Sequence, residues 1–153
     1  QPSYKMMDLI EFLGAVPIPI DYGEVYLALR SGVIDGAENN IPSYVTSGHY
    51  QVAKYFSFDR HASIPEVVIV SEKTWLELSP KDRQIILDGT KASVVYQRKL
   101  WEKFEADCRQ KAETAGCHFN EVDLAAFKQT VEPFYAKQRL QFRGLIEAIE
   151  KSQ

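Results

Sequence analysis

One stretch constrains this chain more than any other. From Ser79 onward the sequence gives every signal to start a helix and no strong signal to stop one before Gly116. Ser79 suits the N-cap, Pro80 the first helical position, and Asp82 places a negative charge in the first turn. Gly89 weakens the run without ending it. About 37 residues at 1.5 Å each would reach roughly 55 Å. A compact domain of this size is only about 30 Å across. Such a helix is either a coiled-coil arm or a strut between two packing regions. Its apolar residues (Ile85, Ile86, Val94, Val95, Leu100, Phe104, Cys108) do not sustain heptads, which disfavours the coiled coil.

Around this helix the apolar pattern keeps changing period. Met6, Met7, Ile10 and Leu13 recur at helical spacing, so Ser3 to Leu13 reads as a helix that Gly14 ends. Pro17 and Pro19 restrict Val16 to Ile20 to a short or edge strand. A second helix is expected over Gly23 to Ser31, broken by Gly32, and Val33 to Gly36 reads as a short strand or turn. Pro42 opens a third helix expected to run to about Tyr55. Phe56 to Ala62 alternates like a strand, and the β-branched run Glu66 to Ser71 reads as a buried one. Ser71 to Leu78 is a short helix with Trp75. Cys117 to Val122 is a last strand, and Leu124 to Ile149 a last helix weakened near Pro133. Helices alternating with short apolar strands argue an α/β fold, and the strut argues for two lobes.

Composition narrows the function. The 153 residues are 45% hydrophobic and 25% charged, the profile of a globular chain with a real core. A net charge of -3 favours neither nucleic acid nor an anionic membrane surface. Apolar runs such as Val67 to Val70 are too short to span a bilayer. Gln1-Pro2-Ser3 is not an initiator sequence, so the N-terminus reads as a processed or cut end. Cys108 and Cys117 fit no metal spacing and read as small, partly buried thiols, with a disulfide across the helix end as the alternative. No histidine belongs to a cluster with metal-ligand spacing. No phosphate loop, nucleophile elbow or zinc-protease motif occurs. A hydrolase built on Glu24, Glu38 and His61 lacks any spacing that forces those residues together. The mixed charges from Arg98 to Lys111 are most simply a solvated helix face, and Tyr44 and Tyr50 are expected in the core.

Three segments carry a resemblance: Gly14-Ala15-Val16-Pro17-Ile18-Pro19-Ile20-Asp21-Tyr22-Gly23-Glu24-Val25-Tyr26-Leu27-Ala28-Leu29, then Gly32-Val33-Ile34-Asp35-Gly36-Ala37-Glu38-Asn39, then His49-Tyr50-Gln51-Val52-Ala53-Lys54-Tyr55. With the weaker Trp75 to Gln84 stretch, they resemble the solute receptors of tripartite ATP-independent periplasmic (TRAP) transporters, in the same order along the chain. The resemblance implies a periplasmic-binding-protein-like fold of two α/β lobes joined by a long bridging helix, represented here by its C-terminal half. Residues 1–64 would belong to the second lobe, 65–104 to the first, including the start of the bridging helix, and 105–153 to the second again. It implies a periplasmic receptor, not an enzyme, with no cofactor. That receptor binds an organic acid and hands it to the membrane subunits of a TRAP permease. Gln1-Pro2-Ser3 and Glu38 to Tyr44 are similar to the branch that takes sugar acids such as glucuronate or galacturonate.

The resemblance also suggests the site. Asn39 aligns with the family's ligand asparagine; its amide donates to a carboxylate and accepts from a hydroxyl. Tyr22 aligns with an aromatic packed on the ligand. Glu38 flanks Asn39, Gln1 and Pro2 stand beside the cleft, and His61 ends a strand near the expected lobe crossing. The family's carboxylate-binding arginine lies just upstream of the segment aligned with Gln1, so the resemblance places it outside these residues. The bland readings are a turn asparagine, a core tyrosine and a hinge histidine. The competing function is a helical interaction or sensor module without a transport role. Self-association of the chain is expected, because the covering lobe would be missing.

Overall fold

The computed structural model describes residues 3–152. Its elements are α1 (Tyr4–Phe12), α2 (Val25–Ser31), α3 (Ile41–Thr46), β1 (Tyr55–Phe58), α4 (Glu72–Glu77), α5 (Pro80–Thr114), β2 (His118–Glu121) and α6 (Leu124–Glu150). Single 3-10 turns lie at Tyr22–Glu24 and His49–Gln51. β1 and β2 run parallel, with Tyr55 opposite His118 and Phe58 opposite Glu121. Parallel neighbours need a long crossover, and α4 and α5 supply it.

The long helix forms as the sequence requires. It is 35 residues long, about 52 Å at 1.5 Å per residue, and continues unbroken through Gly89. Ser79 Oγ accepts from the Asp82 amide at 3.2 Å and donates to Asp82 Oδ2 at 2.7 Å. The helix ends where Gly116 turns left-handed at φ 82°, and the Cys117 amide reaches back to the Ala112 carbonyl at 3.0 Å. Lys54 Nζ donates to the Ala115 carbonyl at 3.1 Å, setting a positive charge on the negative end of the helix dipole.

The core sits at that C-terminal end. Cys108 and Ala112, four residues apart on one face, pack with Ile41, Tyr44, Val45 and Cys117; Tyr50, Phe56, Phe58 and Phe119 close the cluster. At the other end Arg83 donates to the carbonyls of Trp75 (2.8 Å) and Leu76 (3.0 Å), with its guanidinium 5.7 Å from the Trp75 ring. Between these regions, residues 91–107 are exposed throughout. A second packing region joins α1 to α6 through Phe12 edge-on to Phe134 and Lys137 to Asp8 at 3.0 Å.

Several expectations need correction. The third helix stops at Thr46, far short of Tyr55, because Gly48 adopts φ 75° and the chain restarts as a 3-10 turn. The strand expected to reach Ala62 ends at Phe58, where Arg60 takes φ 51° and turns the chain out of the ladder. Glu66 to Ser71 forms no strand and is neither paired nor buried, with Val67 72% and Ile69 85% exposed. Its apolar side chains signal burial correctly only where a second surface lies against them, and none of the described residues does so. Val16 to Ile20 forms no ladder either, since Pro17 and Pro19 lack the amides it needs. In α6 the helical geometry fails at Phe142 (φ -123°, ψ 27°), not at Pro133. The cysteines are free and buried.

Candidate functional site

The loop before α3 brings the sequence-predicted residues together. Asn40 is the N-cap of α3, its Oδ1 accepting from the Ser43 amide at 2.8 Å. That fixes the backbone of the preceding residue, Asn39. Asn39 Oδ1 accepts from the Asn40 amide at 2.9 Å, which leaves its amino group to face elsewhere. Asn39 Nδ2 donates to the Tyr22 phenol oxygen at 3.4 Å. Tyr22, 17 residues earlier, begins the 3-10 turn that enters α2. Its ring is half exposed, and its hydroxyl also makes a short hydrogen bond with Ser47 Oγ at the C-cap of α3.

His49 underlies this group. It is 3% exposed, its ring lies edge-on to Tyr22 at 5.9 Å, and its Nε2 has no hydrogen-bond partner among the described residues. Burial lowers its pKa and so keeps the imidazole neutral.

Beside Asn39 stands a charged group. His61 Nδ1 lies 2.6 Å from Asp59 Oδ1, and His61 Nε2 lies 3.4 Å from Glu38 Oε2. The second contact lies within ion-pair range and is longer than a well-formed hydrogen bond. The His61 pKa is pushed up to about 9. The Glu38 carboxylate contributes most and Asp59 adds to it, against the opposing effect of burial. The ring is therefore an imidazolium at neutral pH. Glu38 and His61 are 23 residues apart, and it is the left-handed turn at Arg60 that brings them together. Arg60 itself reaches Glu121 at 3.5 Å, on the neighbouring strand.

Of the predicted site residues, Asn39, Tyr22, Glu38 and His61 thus fall in two adjoining groups, whereas Gln1 and Pro2 lie outside the described residues. Sequence reasoning missed Ser47 and Asp59 as participants, and it read His49 as part of a family motif and too isolated to bind a metal, without a place at this site. The Ser-Gly pair at positions 47 and 48 was the available signal, since a glycine there ends α3 and leaves the serine as a cap. Among the described residues no cluster of His, Cys, Asp or Glu could hold a metal ion. The two groups offer an amide donor, hydroxyls, a carboxylate and an imidazolium around an exposed aromatic face. That chemistry recognises a polar, hydroxylated molecule, and it contains no hydroxyl or thiol seated on a base.

Residues 1–141 match the family described as bacterial extracellular solute-binding protein, family 7. A solute-binding protein of Chromohalobacter salexigens is 41% identical over 151 residues, covering 96% of this chain and 45% of that protein. A solved TRAP periplasmic solute-binding protein from the same organism, with bound D-glucuronate, superposes with a TM-score of 0.93 at 40% identity. It covers 99% of this chain and 52% of that one. Another from Xanthobacter autotrophicus, with bound β-D-galacturonate, gives a TM-score of 0.83 at 38% identity, over 90% of this chain and 46% of that one. The chain spans about half the length of the relatives it matches. Its helices and parallel strands have the TRAP receptor fold, over about half of that fold. The chain belongs to family 7 of the bacterial extracellular solute-binding proteins.

Proposed function

We propose that these residues form one wall of a sugar-acid site in a periplasmic receptor that delivers glucuronate or galacturonate to a TRAP permease, and that the chain catalyses no reaction. One observation carries the reading: Asn39 and Tyr22, 17 residues apart, meet at 3.4 Å with the Asn39 Oδ1 already engaged by its neighbour's amide. With one N–H on the Tyr22 hydroxyl, the amide keeps its second N–H for an anionic or hydroxyl oxygen of a ligand. The half-exposed Tyr22 ring offers a flat apolar face to the C–H side of a sugar. Glu38 and His61 contact the ligand at the edge of the same surface. Uronates bound to solved relatives support the choice of ligand class. In this reading residues 1–64 and 105–153 build the second lobe. Residues 65–104 reach into the first lobe, which explains why the intervening strut exposes so much apolar surface.

Calorimetric titration of a full-length receptor bearing these residues tests the proposal. Asn39→Ala should weaken the better uronate by about 1–3 kcal/mol, the cost of an unsatisfied buried polar partner. Unchanged affinity would remove Asn39 from the site. Failure of the unaltered receptor to bind any uronate would remove the ligand class.

A further inference from the structure

Among the described residues, Ser47 is the one polar side chain hydrogen-bonded to the Tyr22 hydroxyl that neither the sequence motifs nor the proposed ligand contacts account for. It lies at the C-cap of α3, where Gly48 at φ 75° fixes its backbone, and it is only partly exposed. Its Oγ is hydrogen-bonded to the Tyr22 hydroxyl, which in turn accepts from Asn39 Nδ2 at 3.4 Å. The Tyr22 ring rests edge-on against His49, a buried ring that leaves little room for the tyrosine to shift toward the core.

We infer that Ser47 is a positioning residue for the binding site, acting through the Tyr22 hydroxyl to hold the Asn39 amide and the Tyr22 ring in the orientation a sugar acid meets. The protons are accounted for along the chain of contacts. The Asn39 amino group donates to the phenol oxygen. The phenol proton is then free to donate to Ser47 Oγ, and the Ser47 proton remains to be given to water or ligand. Without Ser47 the phenol can rotate its proton toward solvent or toward the ligand, and the ring loses its tether. A fixed wall binds with less lost rotamer entropy than a mobile one. Ser47 need not touch the ligand for this effect. The inference rests on the sugar-acid reading above.

The test is a double-mutant cycle in a full-length receptor bearing these residues, titrated with glucuronate and galacturonate. Ser47→Ala should weaken binding by roughly tenfold, the upper worth of one hydrogen bond together with the ordering it enforces. Ser47→Thr, which keeps the hydroxyl, should restore most of that loss. In a Tyr22→Phe background, Ser47→Ala should change nothing further, because the hydroxyl through which Ser47 acts is gone. An equal loss in both backgrounds, or no loss in the unaltered one, overturns the positioning role while leaving the sugar-acid site standing. A receptor that binds neither uronate overturns both. Matching melting temperatures for Ser47→Ala and the parent separate a positioning effect from damage to the fold.

Discussion

His61→Gln should make the stability of the protein less dependent on pH, in a window set by the histidine itself. The imidazole sits between Asp59 and Glu38 with its side chain 19% exposed, and its pKa is about 9 against 6.5 for the free group. A raised pKa means that the folded state holds the proton more tightly than the unfolded chain does. The resulting stability is therefore fully present below pH 6.5 and is lost as the pH rises through 9. At 1.36 kcal/mol for each unit the ceiling is about 3 kcal/mol. Glu38 is 49% exposed, so solvent screening cuts the useful figure to about 1–2 kcal/mol. Glutamine keeps a polar group of similar reach but carries no charge. Thermal melts of the parent and of His61→Gln, taken in full-length protein from pH 5.5 to 10, should differ most at the acid end. Each kcal/mol moves the melting temperature by about 2–4 °C in a domain of this size. The gap should close between pH 6.5 and 9. A gap of constant size across the range would show that His61 acts by shape alone and that the ion-pair argument is wrong.

Two further outcomes follow from the core and from the strut. Tyr44 shares its one phenolic proton between the Ala53 carbonyl at 2.5 Å and Cys117 Sγ at 3.2 Å. Burial first, and then the Cys117 thiol, holds the phenol protonated well above its usual range. Tyr44→Phe should therefore cost about 1–3 kcal/mol in urea denaturation near neutral pH, and a neutral or stabilising result would refute the assignment of those bonds. The 153-residue chain by itself should associate. Burying side chains like Val67, Ile69, Ile85 and Val95 is worth about 1.5–3 kcal/mol each, yet these are 59–85% exposed. Light scattering that shows a clean monomer at tens of micromolar, or micromolar binding of a uronate by that monomer, would contradict this expectation.

The sequence by itself determined the local elements whose causes are local. Ser79, Pro80 and Asp82 start α5, and Gly116 ends it, because capping and left-handed backbone depend on residues within one turn. The ordered motifs from Gly14 to Tyr55 were equally legible and identified the family. Asn39 and Tyr22 stood out in those motifs, but only as aligned positions. Tertiary structure decided what depends on a second surface. The β-branched run at Val67 to Val70 has the composition of a buried strand, yet a strand exists only when another supplies its hydrogen bonds, and none of the described residues does. Pro133 was the visible weak point of α6, while the distortion falls at Phe142, where Lys5 from α1 sits 3.7 Å from the ring centre. The meeting of His61 with Glu38, 23 residues away, depends on the left-handed turn at Arg60, which no local rule predicts for an arginine. Ser47 shows the same limit: a serine before a glycine reads as a helix end, and only the tertiary structure brings its Oγ to the Tyr22 hydroxyl, 25 residues away.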